Sequence, residues 1–229
     1  MTNTDTVPDL KSRNVVALTV ELLSSAPELK DAVMLTAYAH DGQERKEARA
    51  GATYRDPYAI HPIRCALRII RWARRAGSGE DLQSVLVAAL CHDVIEDAPQ
   101  RVMQFCDVPQ GGDPFTALRG RAPFVGDSLD IIIRLTNPPG PAEPGSYLAH
   151  VQREVFPNRS ARIVKAADLT DNAGSLHWMP PGPRRSAMAG KYREPVDQLI
   201  RALDTTDPLE AVIAERLGRV DQSLTDILA

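Results

Sequence analysis

Cysteine is scarce: three residues in 229, with no paired spacing. That excludes a disulfide framework and fits free thiols in a reducing cytosol. No apolar run approaches the ~18 residues a membrane-spanning helix needs. The first apolar stretch, Val15 to Leu23, is short, carries Glu21 and follows a polar start, so it does not read as a secretory signal. Neither sign of charge dominates. Twenty-seven Lys+Arg against 30 Asp+Glu leave a formal net charge of −3, which excludes a module held to nucleic acid mainly by phosphate neutralisation. Alternating period-two segments long enough for a sheet are missing, as are internal repeats. What remains is 43% hydrophobic and 25% charged residues, the make-up of a cytoplasmic globular chain with one core and no membrane partner.

Prolines punctuate the helical windows, because a proline inside a helix removes a donor and clashes with the preceding turn. Apolar residues at three- and four-residue steps predict helices over Glu28 to Asp41, Pro62 to Ala76 and Asp81 to Asp97. Ser25 and Glu28 have the spacing of a capping box, and Pro62 suits a first helical turn. Val85 to Cys91 is apolar on every side, so the third helix is expected to be central and buried. Asp127 to Thr136, with Asp127 as N-cap, Gly145 to Phe156 and Asn158 to Ser175 are read as further helices. Two amphipathic helices close the chain. The first carries Val196, Leu199, Ile200 and Leu203; the second runs from Leu209 to Leu224, and Pro208 separates them. Pro99 to Pro123, with Gly111-Gly112, reads as a surface insertion, and Met179 to Arg185 as a loose connection. The expectation is an all-α fold. A polar segment and short helix (1–27) pack on one domain (28–206), and a C-terminal amphipathic helix (207–229) completes it.

The buried helix ends unusually. His92, Asp93, Glu96 and Asp97 follow the apolar run directly, and at ~100° per residue they share one arc. Acids at a C-terminal turn oppose the helix dipole, and buried charges cost several kcal/mol each unless paired or bound to metal. The alternative is a helix that simply reaches solvent there. His61 stands before Pro62 at the entry of the preceding helix. Lys165, Asp168 and Asn172 form a polar stripe beside apolar Ile163, Val164 and Ala167. Two histidines and two aspartates offer nitrogen and oxygen without thiolate, a set suited to Mn²⁺ or Fe²⁺ before Zn²⁺.

His61-Pro62, His92-Asp93-Val94-Ile95-Glu96-Asp97 and Val164-Lys165-Ala166-Ala167-Asp168 resemble the HD-domain superfamily of metal-dependent phosphohydrolases. With Ala39 to Lys46 and Tyr58 to Pro62 added, the chain is similar over about residues 28–206 to the hydrolase domain of the RelA/SpoT family and its stand-alone relatives, the metazoan SpoT homologues. The resemblance implies that His61, His92, Asp93 and Asp168 bind one Mn²⁺, and that Glu96 and Asp97 position or deprotonate the attacking water. It also implies that Arg45, Lys46, Asn172 and, on a looser match, Tyr192 meet the nucleotide. The implied reaction is hydrolysis of guanosine 3′,5′-bis(diphosphate) or its pentaphosphate at the 3′ position, releasing pyrophosphate. A different phosphorylated nucleotide, or nucleotide binding without hydrolysis, would use the same scaffold. No synthetase segment is expected in this chain, so degradation rather than synthesis of the alarmone is implied. The partner is a small nucleotide rather than nucleic acid, and the oligomeric state stays open.

The remaining residues carry ordinary expectations. His40, on an apolar stripe, is read as a buried, hydrogen-bonded histidine. His150 and His177 have no partners at useful spacing. Arg64, Arg68, Arg71 and Arg75 are read as a solvated basic face, and Asp171 as a negative charge beside the nucleotide. Cys91 is expected in the core, and Trp72 and Trp178 as packing anchors.

Overall fold

Two segments that are buried around most of their circumference, one apolar and one carrying an inward polar stripe, set the architecture. In the computed structural model, which describes Leu10 and residues 14–45, 55–109, 111–138 and 145–229, these are α4 (Gln83–Cys91) and α10 (Arg159–Ala173). Every residue from Val85 to Cys91 is buried, as is every one from Ile163 to Asp171. Helix α3 (Ile60–Ala76) packs against both. It stops at Gly77, whose φ of 65° is the left-handed conformation that lets the Ser78 N–H reach back to the Ala73 carbonyl at 2.9 Å.

The other helices cover this trio. Before it come α1 (Val15–Ser25) and α2 (Lys30–Ala39). After α4 come α5 (Val94–Asp97), α6 (Pro99–Phe105), α7 (Pro114–Arg121) and α8 (Ser128–Leu135). Next is α9 (Ser146–His150), continued by a wider turn over Val151–Val155. Beyond α10, α11 (Pro183–Ala202) and α12 (Pro208–Leu228) form an antiparallel pair, with α12 also against α3 and α10. Among the described residues there is no strand, and the all-α expectation holds. An isolated antiparallel bridge joins Glu44 to Pro57, with the Arg45 N–H donating to the Asp56 carbonyl and the Tyr58 N–H to the Gln43 carbonyl, both at 2.8 Å. No helix among the described residues is long and apolar enough to cross a membrane.

Several local expectations need correction. Ser25 and Glu28 form no capping box. A 3₁₀ turn (Pro27–Leu29) precedes α2, and neither helix start has a side-chain cap. Asp127 precedes α8 without capping it by a hydrogen bond. Asn158, by contrast, does cap α10, its Oδ1 accepting from Ala161 at 2.9 Å. Residues 99–123 are not merely a surface insertion, since α6 and α7 bury Val102 and Leu118 completely. Helix α11 begins at Pro183 inside the expected loose connection and continues through Pro195, which forgoes one backbone hydrogen bond.

Candidate metal centre

Helix α4 does not run on to Asp97 as expected. It ends at Cys91, the chain turns at His92 and Asp93, and α5 restarts at Val94. That break uncouples the acidic residues from one helical arc. Asp93 takes the N-cap position of α5 but makes no capping bond with its side chain, and its carboxylate faces the imidazoles. His61 comes in from the first turn of α3 and Asp168 from mid-α10.

These four side chains converge. His61 Nε2 lies 3.3 Å from Asp168 Oδ1 and 3.6 Å from Asp93 Oδ2. His92 Nε2 lies 3.2 Å from Asp93 Oδ2 and 3.9 Å from Asp168 Oδ1. The ligand atoms of His61, His92 and Asp168 all fall within 4.8 Å of one another. Both imidazoles are oriented from behind: His61 Nδ1 is 2.7 Å from Asp171 Oδ2, and His92 Nδ1 is 2.9 Å from the Ala89 carbonyl. A carboxylate and a carbonyl only accept, so each Nδ1 carries a proton and each Nε2 presents a lone pair to the centre once its own proton is displaced. Neither buried Nε2 has a hydrogen-bond partner. Two lone pairs and two carboxylates facing one point fit a divalent cation, and the back-bonded imidazoles are the usual arrangement behind a metal-ligating histidine.

Electrostatics agree with that fit. Burial works to lower the His92 pKa, but Asp93 and then Asp168 overrule it and push it up to about 9. Burial works to raise both acids, yet Asp93 is held well below the usual carboxylate range by His92, and Asp168 by the Lys165 ammonium. Lys165 Nζ donates to Asp168 Oδ2 at 2.9 Å, and Asn172 Nδ2 donates to Asp168 Oδ1.

Around the centre, Arg45 Nη2 donates to Asn172 Oδ1 at 2.8 Å, and its guanidinium lies 5.4 Å from the Tyr58 ring centre. Thus Arg45 and Asn172 form a chain ending on Asp168. Asp97 sits on α5, its carboxyl pKa raised by burial and then by the neighbouring Asp93 and Glu96 charges. Glu96 is exposed, and Asn137 clasps it through its backbone N–H at 3.2 Å and its amide at 3.0 and 3.1 Å. Tyr192 is half-buried on α11 against the core. Lys46 lies outside the described residues.

Sequence reasoning assigned no role to Tyr58 or to the inner arginines. The Tyr58 hydroxyl donates to Asp93 Oδ2 at 2.7 Å, and its ring stacks on His40 with centres 4.6 Å apart. His40 is buried and bonded to Gln43, as expected. Arg64 and Arg68 are not solvated: they are 1% and 4% exposed and both bind Asp171. Asp171, fully buried, therefore faces His61 and the arginines rather than a nucleotide. The visible signal was a pair of arginines four apart on the same helical face as His61, three and seven residues after it. Arg71 and Arg75 do pair outward, with Glu21 and Glu215. His150 bonds the Arg134 carbonyl, and Cys91 and Trp72 lie in the core.

An all-α fold whose three central helices bring two imidazoles and two carboxylates to one point defines a helical metal-binding scaffold. The chain belongs to the HD domain family, whose model matches residues 58–173, more than half of its length. That span contains all four converging residues, and HD domains are metal-dependent phosphohydrolases that bind divalent cations. A solved structure of a metazoan orthologue of SpoT, which hydrolyses ppGpp and plays a role in starvation responses, matches with a TM-score of 0.60 at 19% identity, over 86% of this chain and 94% of that one. Among curated protein sequences, none matches this chain.

Proposed function

We propose that this protein hydrolyses guanosine 3′,5′-bis(diphosphate) or its pentaphosphate at the 3′ position in the cytoplasm, releasing pyrophosphate with Mn²⁺ as cofactor. The observation that carries the reading is the convergence of His61 and His92 Nε2 with the Asp93 and Asp168 carboxylates, both imidazoles tied from behind. The likeness in fold to a ppGpp hydrolase narrows the substrate class. A divalent cation held by those four residues supplies a Lewis acid for a phosphoryl oxygen and lowers the pKa of water.

The chain's own groups do the rest. Asp97 accepts the proton of the attacking water; its raised pKa moves it toward the range in which a carboxylate is an effective base. Glu96, held by Asn137, steers that water from the rim. Tyr58 fixes Asp93, and Lys165 fixes Asp168. Arg45 and Lys46 offer a planar cation for the purine and a point charge for phosphate, while Asn172 and Tyr192 contact sugar or phosphate.

The test is a panel of phosphorylated nucleotides incubated with purified protein and Mn²⁺. Pyrophosphate release from guanosine 3′,5′-bis(diphosphate), lowered about 10²–10⁴-fold in Asp97→Asn with Mn²⁺ binding retained, is the expected result. Preference for another nucleotide would overturn the substrate, and an inert wild type that binds Mn²⁺ would overturn the hydrolase.

A further inference from the structure

Asp171 is an acid of the centre that has no place among the ligands. It lies three residues after Asp168 on α10 and is completely buried. Its two oxygens have different neighbours. Oδ1 accepts from Arg64 Nε at 2.8 Å and lies 2.9 Å from Arg68 Nη2. Oδ2 accepts from His61 Nδ1 at 2.7 Å and from Arg64 Nη2 at 3.1 Å, with Arg45 Nη2 at 3.7 Å. The bidentate grip of Arg64 alone would balance the charge of a structural ion pair. The short contact to His61 goes beyond what charge balance requires.

We infer that Asp171 is a positioning residue that locks His61 in the tautomer with its proton on Nδ1, and that Arg64 and Arg68 clamp the carboxylate so that it cannot turn away. The inference rests on the metal-centre reading and deepens it. A neutral imidazole has two tautomers, and the one with its proton on Nε2 would point N–H at the centre and could not ligate. A buried carboxylate beside Nδ1 removes that choice. The lock is built on the same two helices that deliver His61 and Asp168, because Arg64 and Arg68 stand three and seven residues after His61 on α3.

Asp171→Asn tests this directly, since the arginines bias which way the amide turns. Oδ1 faces Arg64 Nε at 2.8 Å and Arg68 Nη2 at 2.9 Å, whereas the arginine nitrogen nearest Oδ2 is Arg64 Nη2 at the longer 3.1 Å, so the two closer arginine contacts favour the amide oxygen on the Oδ1 side and the NH₂ toward His61. His61 Nδ1 then has to accept, which moves its proton to Nε2. Two measurements are made on the full chain. Mn²⁺ affinity, read from the electron paramagnetic resonance of free Mn²⁺, should weaken about 10–100-fold in Asp171→Asn. In the Zn²⁺-loaded wild type, ¹⁵N spectra of labelled histidine should show a protonated Nδ1 on His61, lost in the variant. Unchanged affinity in Asp171→Asn overturns the inference alone. So does weaker binding with the Nδ1 proton still in place, which would make Asp171 merely structural. Absence of Mn²⁺ and Zn²⁺ binding by wild type would instead overturn the metal centre itself. Should the variant fail to fold, the wild-type spectrum decides: a Zn²⁺-loaded His61 without a proton on Nδ1 refutes the lock.

Discussion

His92 is a buried imidazole whose Nε2 faces two carboxylates, and without a cation a proton fills the same role. Asp93 and Asp168 push its pKa up to about 9 against the opposing effect of burial. Below that value the ring is charged and cannot ligate, so a metal must displace the proton; above it the lone pair is free. Mn²⁺ affinity should therefore climb with pH, about tenfold per unit for each proton displaced, with the His92 contribution ending near 9. Titrations between about pH 6.5 and about pH 8.5 check this, and a flat profile would show that no imidazole proton competes with the ion. His92 and Asp93 were legible in the sequence because charged groups directly after an apolar run demand compensation, whereas His61 and Asp168, on other helices, were joined to them through the family resemblance. Orientation was not legible. Nothing in a one-dimensional string says that Asp171 turns inward to His61 while Glu96 turns outward to Asn137. The inner arginines were hidden for a related reason: a stripe of four looks solvated until a buried acid on another helix is found opposite two of them.

At the scale of elements, the misread segment is 99–123. Its prolines and glycines resemble loop punctuation, but Pro99 and Pro114 occupy first turns of helices, where a missing N–H removes nothing. Asp113 caps α7, accepting from Thr116 N at 2.9 Å and Phe115 N at 3.3 Å. Leu118 is 0% exposed, so Leu118→Ala should destabilise the fold by about 2–5 kcal/mol. A solvated insertion would lose under about 0.5 kcal/mol. Urea unfolding with an unchanged m-value distinguishes these outcomes. The long helices were readable because their periodicity runs for many residues. The interruption at His92–Asp93 was not, since apolar spacing continues across it through Val94 and Ile95.

Across the whole molecule, the centre ties together parts of the chain that are far apart in sequence. His61 belongs to α3, His92 and Asp93 to the α4–α5 turn, and Asp168 to α10, and those helices form the middle of the core. A cation bound there engages the folded chain and has no comparable site in the unfolded one, so its binding free energy adds to stability by mass action. At a free Mn²⁺ concentration about 100 times Kd the gain is about 2.7 kcal/mol. For a chain of this length each kcal/mol moves Tm by about 2–4 °C, so the loaded protein should melt about 5–10 °C above the chelated one. The rise should grow with the logarithm of added Mn²⁺ and vanish in Asp93→Asn, which keeps the shape of the side chain but removes its charge from the two imidazoles. A shift that persists undiminished in Asp93→Asn would place the stabilising ion somewhere other than between α3, α4 and α10.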